Sequence, residues 1–114
     1  MSKANLPDWA RVNAIARTLR SRAVDARAAG NLPAALDFVR LSQLLHPREP
    51  LLTFFEGHCA FTLERAAEAH AAFRRTTALE PSNGGAWLHL GAQAFSALDG
   101  AAADTAWRRC LLLD

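Results

Sequence analysis

Apolar residues along this chain return at three- and four-residue steps, in six runs separated by proline, glycine and short polar turns. Steps of that size put them on one face of an α-helix, because side chains three and four apart lie above one another. No breaker interrupts Pro7 to Ala29, where Trp9, Val12, Ala16, Leu19, Ala23 and Ala26 form one stripe. The pattern predicts a first helix there, opened by Pro7 and Asp8, which suit a first turn by preset φ and by the helix dipole. Gly30-Asn31 closes it with residues that accept left-handed geometry. Pro33 opens a second helix that runs to about Leu45, and His46-Pro47-Arg48-Glu49-Pro50 is a break. A third helix is expected over about 51–63. A fourth follows over 66–79, after a turn at Glu64-Arg65. Pro81 stops it, and Ser82 and Asn83 are good N-caps for a fifth helix over 85–97. Leu98-Asp99-Gly100 turns the chain into a sixth helix from Ala101 onward, and residues 1–6 read as a short frayed tail. The fold class is all-α.

Shifting the chain against itself by 34 residues brings like onto like. Leu19, Thr53 and Trp87 align, as do Ala23, Gly57 and Gly91, and Ala26, Ala60 and Ala94. The second helices align through Ala35, Ala69 and Ala103; Val39, Phe73 and Trp107; Ser42, Thr76 and Cys110; and Leu45, Leu79 and Leu113. Pro47 pairs with Pro81. A 34-residue period with small, aromatic and proline positions in this order resembles the tetratricopeptide repeat (TPR). The resemblance covers residues 16–49, 50–83 and 84–114 as three repeats, with 7–15 as an N-terminal helical extension, and implies one right-handed α-solenoid domain over 1–114. Trp9 would anchor the extension over the edge of the first repeat. Glu64 departs from the pattern, since TPR turns often carry glycine there.

In TPR proteins the first helix of each pair lines a concave groove that holds the ligand. Carried over by position, that groove would offer Arg17, Arg20, Val24 and Arg27 from repeat one. Repeat two would add Leu51, Phe54, Phe55, His58 and Phe61, and repeat three Leu88, His89 and Phe95. Repeat one holds polar residues where repeat two holds phenylalanines, so the fold itself does not demand an aromatic groove. An exposed apolar patch marks a binding surface, and this one suits an apolar helical or extended peptide segment. Arg17, Arg20 and Arg27 share a stripe that would clamp acidic side chains. Many TPR domains grip C-terminal carboxylates of chaperones with lysine, asparagine and arginine. The corresponding places here hold Arg20, Val24, Phe55, Gly85 and His89, which puts the chain outside that class.

Composition narrows the picture further. Alanine makes up 25 of the 114 residues, in keeping with closely packed helices. The net charge is +2, with +4 over residues 1–49 and −2 over 50–114, too little basic charge for a nucleic-acid repeat protein. An RNA-binding helical repeat is therefore the weakest alternative. Cys59 and Cys110 read as reduced core thiols. His58 and Cys59 point about 100° apart on a helix, too divergent to share a metal ion, so neither a metal nor another cofactor is expected. No phosphate loop, nucleophile elbow or carboxylate pair is present, and the chain does not read as an enzyme. The start has no signal-peptide core, and a cytoplasmic location is expected.

These features predict a protein–protein interaction module. The more specific alternative is a bacterial type III secretion chaperone, which such a chain resembles in size, repeat number and apolar groove. Two further expectations concern packing. Arg22 and Glu56 stand 34 residues apart at the place held by Leu90 in repeat three, which normally faces the packed interior, so the two side chains should approach each other or share a polar bridge. A C-terminal face of Trp107, Leu111 and Leu112 should be covered by a second copy of the chain, another protein, or residues beyond this sequence.

Overall fold

The computed structural model describes residues 7–96 and 99–113. The predicted tail at 1–6, the turn residue Leu98 and the final Asp114 lie outside them. Within the described residues the chain forms α1 (Asp8–Ala28), α2 (Leu32–Leu45), α3 (Pro50–Thr62), α4 (Ala66–Leu79), α5 (Gly84–Ser96) and α6 (Gly100–Leu112), with no strand. Each boundary has a local cause. The side-chain oxygens of Asn31, Asn83 and Asp99 accept from the N–H groups of Ala34, Ala86 and Ala102 at 3.2, 3.0 and 3.1 Å, capping α2, α5 and α6. The Glu49 carboxylate accepts from Leu51 N–H at the start of α3, and Pro33 and Pro50 occupy first-turn positions that need no N–H.

The turn inside the first hairpin uses Gly30 at φ 80°. Thirty-four residues later Glu64 takes the same left-handed geometry, at φ 61°, without glycine's freedom. The departure at Glu64 thus costs backbone strain and leaves the hairpin intact.

Contacts divide the chain into two units, Met1–Arg48 and Glu49–Asp114. In the first, α1 packs on α2, and Ala16, Ala23, Ala35, Leu36 and Val39 are buried. Trp9 does not act as the expected anchor: it is 69% exposed. The reason is length. At 1.5 Å per residue, the 21 residues of α1 outreach the 14 of α2 by roughly 10 Å, so among the described residues of this unit no second helix lies beside its first turns.

In the second unit α3 packs on α4, α4 on α5, and α5 on α6. Its core joins Ala60, Ala69, Phe73, Ala86, Leu90 and Ala106, with Phe54 and Trp87 against it. The repeat's small residue and its large partner meet here. A Cβ on Gly57 would fall 2.6 Å from the Phe73 ring, and one on Gly91 within 2.2 Å of Trp107. Where the first helix has glycine, the second presses an aromatic ring onto its backbone; the first unit pairs the larger Ala23 with the smaller Val39, both buried. Trp107 is consequently half-buried against α5, while Leu111 and Leu112 remain exposed.

Glu56 is only 5% exposed, as its place in the repeat predicts. The cation it receives within its own unit is Arg75 of α4, at 2.5 Å. Arg22 is exposed on α1.

Candidate functional site

On α3 the stripe Leu51, Phe54, Phe55, His58 and Phe61 follows three- and four-residue steps; on α5, Leu88 and Phe95 stand two turns apart with His89 beside them. The two helices meet through side-chain rings. His89 stacks flat on Phe73, with centroids 4.4 Å apart and planes 3° from parallel. His58 meets His89 edge-on at 4.7 Å, Phe61 meets it at 5.5 Å, and Phe54 at 6.4 Å. Phe54 also touches His58 edge-on at 4.5 Å. Four of the predicted site residues, Phe54, His58, Phe61 and His89, are therefore brought into one cluster.

Their exposures separate two kinds of role. Phe61, Leu88 and Phe95 are 51%, 53% and 63% exposed, and Leu51 is exposed as well. Phe54, Phe55, His58 and His89 are half-buried. Phe54 lies over Gly85, where a Cβ would stand 2.9 Å from its ring, and packs against the core. It therefore supports the face as much as it lines it. Phe95 leans toward α6, 5.6 Å from Trp107, which joins the aromatic face to the C-terminal face. Burial lowers the pKa of His89 from its ordinary value, since its surroundings are rings that cannot solvate an imidazolium.

The other predicted residues lie on α1 in the first unit. Arg17, Val24 and Arg27 are exposed there, and Arg20 is half-buried with its Nε shielded and, among the described residues, without a hydrogen-bond partner.

Two features were not legible along the chain. Phe73, a core residue of the second unit, also forms the platform under His89. Beside the cluster lies an open groove of about 1050 Å³, floored by Phe61, Ala66, Ala67 and Ala92 and edged by His70 and Gln93. Gln93 donates to the Ala66 carbonyl at 3.1 Å and its amide oxygen lies 3.3 Å from His70 Nδ1, tying α5 to the start of α4. Gln93 stands four residues beyond His89 on the same helix, the one sequence hint to its place. Among the described residues no three His, Cys, Asp or Glu side chains converge as a metal site, and no helix is long and apolar enough to cross a membrane.

Neither a family model nor a curated protein matches the sequence. Among solved structures, the chain is similar to the first TPR of Spaghetti (RPAP3) bound to the HSP90 peptide SRMEEVD. The identity is 23% and the TM-score 0.79, over 87% of this chain and 79% of that one. At that identity the likeness speaks for the fold, and the chain is an all-α helical repeat with the fold of a TPR domain.

Proposed function

We propose that this chain is a peptide-binding interaction module whose α3 and α5 present an apolar face to a helical or extended segment of a partner protein. One observation carries the reading. Phe61, Leu88 and Phe95 stay more than half exposed while the core beneath them is complete without them. The solved neighbour binds a peptide, and a TPR fold commonly serves recognition in place of catalysis. Neither α3 nor α5 contains a lysine or arginine, so this face has no charge with which to neutralise phosphates, which weighs against nucleic acid. On α1, Arg17, Arg20 and Arg27 would hold acidic side chains of a partner. A type III secretion chaperone would use such a face, but the neighbour lends that finer reading no support.

The test is binding of a partner captured from the native host, measured before and after substitution. Phe61→Ser with Leu88→Ser should weaken the complex by about 30-fold or more, since a central anchor contributes about 2 kcal/mol. The same pair should leave thermal stability almost unchanged, because both side chains are exposed. Phe54→Ser should lower stability itself. Unchanged affinity in the Phe61/Leu88 double variant would remove the face from the binding site.

A further inference from the structure

Glu64 takes, at φ 61°, the left-handed turn geometry that Gly30 takes at φ 80°. A side chain strains the backbone there and glycine does not, so a compensating gain is to be sought in the carboxylate. Helix α4 is not the beneficiary, because Glu68 already supplies an acid to its first turn. Nor is a neighbouring cation. Arg65 pairs with Glu68 at 3.8 Å, and among the described residues none pairs with Glu64. Glu64 instead lines the open groove of about 1050 Å³ between the end of α3, the start of α4 and α5. We infer that this groove is the subsite for a basic residue of the bound segment: a large apolar side chain lies over its floor, and the lysine or arginine beside it meets Glu64. This subsite presupposes the peptide-binding reading and names the chemistry of one part of its ligand.

The floor is apolar because α4 begins Ala66-Ala67 and α5 carries Ala92, three side chains that stop at Cβ. Phe61 forms the wall on the α3 side and is 51% exposed. Small residues opposite a ring leave room for a bulky side chain, and covering them removes apolar surface from water. The polar edge is set in advance. Gln93 donates to the Ala66 carbonyl at 3.1 Å, and its amide oxygen lies 3.3 Å from His70 Nδ1. The Thr62 hydroxyl donates to the His58 carbonyl at 3.0 Å, which leaves it only lone pairs to offer a ligand. Glu64 adds the one carboxylate of the lining, and among the described residues no lysine or arginine lines the groove. A cation is the group that these acceptors suit.

Charge on a larger scale points the same way. Residues 50–114, which hold both the groove and the apolar face, carry a net −2. Phe61 belongs to the groove and also meets His89 in the aromatic cluster, so a segment lying on the face continues into the groove past the same ring. That continuity makes the occupant a side chain of the bound segment. An exposed ion pair contributes little by itself. The apolar floor therefore supplies the affinity, and Glu64 selects among segments that carry a suitable apolar side chain.

The test is a library of short random peptides displayed on phage, selected against the full chain and against Glu64→Gln. Glutamine keeps the side-chain length and the turn and removes the charge. The expected result is enrichment of lysine or arginine next to Phe, Leu, Ile or Met with the unsubstituted chain, and its loss with Glu64→Gln. The best peptide, remade with glutamine for its basic residue, then completes a double-mutant cycle with Glu64→Gln by titration calorimetry. Each change alone should weaken binding about threefold, and both together no further. The preference should fade in about 1 M salt. Glu64→Gly should lose the same preference while its thermal midpoint rises, which separates recognition from stability. Ala67→Leu fills the floor from the exposed start of α4 and should weaken the best peptide about tenfold or more. Basic enrichment that persists in Glu64→Gln, additive effects in the cycle, or full affinity in Ala67→Leu would each overturn the subsite. Peptides selected with no basic preference sink it too, yet leave the apolar face as a binding surface. If no peptide is enriched at all, the peptide-binding reading fails and the subsite falls with it. Self-association of the chain that Ala67→Leu abolishes would make a second copy the occupant, against this assignment.

Discussion

Gly57 and Phe73 offer a sharp test of how this repeat is packed. An alanine at 57 would place its Cβ 2.6 Å from Phe73 Cε1 and 2.8 Å from Cδ1 and Cζ, inside any ordinary contact distance. The ring cannot retreat freely, because His89 is stacked on it and Phe54 abuts it at 5.8 Å. Overpacking of this kind costs about 1–3 kcal/mol, and the blocked ring argues for the upper end. Alanine in place of a mid-helix glycine returns about 1 kcal/mol through helix propensity. The single variant should therefore lose about 2 kcal/mol. Phe73→Val alone leaves a void and should lose about 2–4 kcal/mol. Combining the two recreates the Ala23 and Val39 arrangement of the first unit, where both residues are buried without conflict. In the Phe73→Val background, Gly57→Ala should thus stabilise, by about 1 kcal/mol. Urea denaturation of the four proteins, followed by far-UV circular dichroism, gives the cycle directly. Thermal midpoints should move by about 4 °C per kcal/mol. A Gly57→Ala effect of the same sign and size in both backgrounds would refute the idea that this glycine exists to admit the ring.

Other substitutions check neighbouring features. Glu56→Leu, which copies the buried Leu90 of the next repeat, should be close to neutral, whereas Arg75→Ala leaves the carboxylate buried without that cation and should cost about 1–2 kcal/mol, less than a fully buried pair because Arg75 is largely exposed; chemical denaturation distinguishes the two. Ser42→Ala should stabilise by up to about 1 kcal/mol: the buried Ser42 hydroxyl has no hydrogen-bond partner among the described residues, while its counterpart Thr76 donates to Thr53 at 2.8 Å, and the first unit has Leu19 in the place of Thr53. Glu64→Gly should raise the thermal midpoint by relieving a left-handed backbone worth about 1 kcal/mol.

The helices and their ends were readable along the chain because their causes are local. Asn31, Asn83 and Asp99 each cap the helix that follows them, and Pro33 and Gly30 stand where φ alone recommends them. The 34-residue period likewise marked the small and large positions, although only the folded chain shows that Gly57 meets Phe73 and Gly91 meets Trp107. It also found that Glu56 lies in a packed position, but not that Arg75 meets it, because that cation has no place in the repeat. The same limit applies at the candidate site. Periodicity put Phe54, Phe61, Leu88 and His89 on neighbouring faces and treated them alike. Tertiary packing divided them: Phe54 settles over the gap at Gly85, Phe61 and Leu88 stay outside, and His89 lies down on Phe73. Trp9 failed as an anchor for a related reason, since its stripe is correct but α2 ends before reaching it. A helical period fixes the direction a side chain takes from its own axis, but what it meets there depends on the length, spacing and rotamers of other helices. Only the folded chain brings those together.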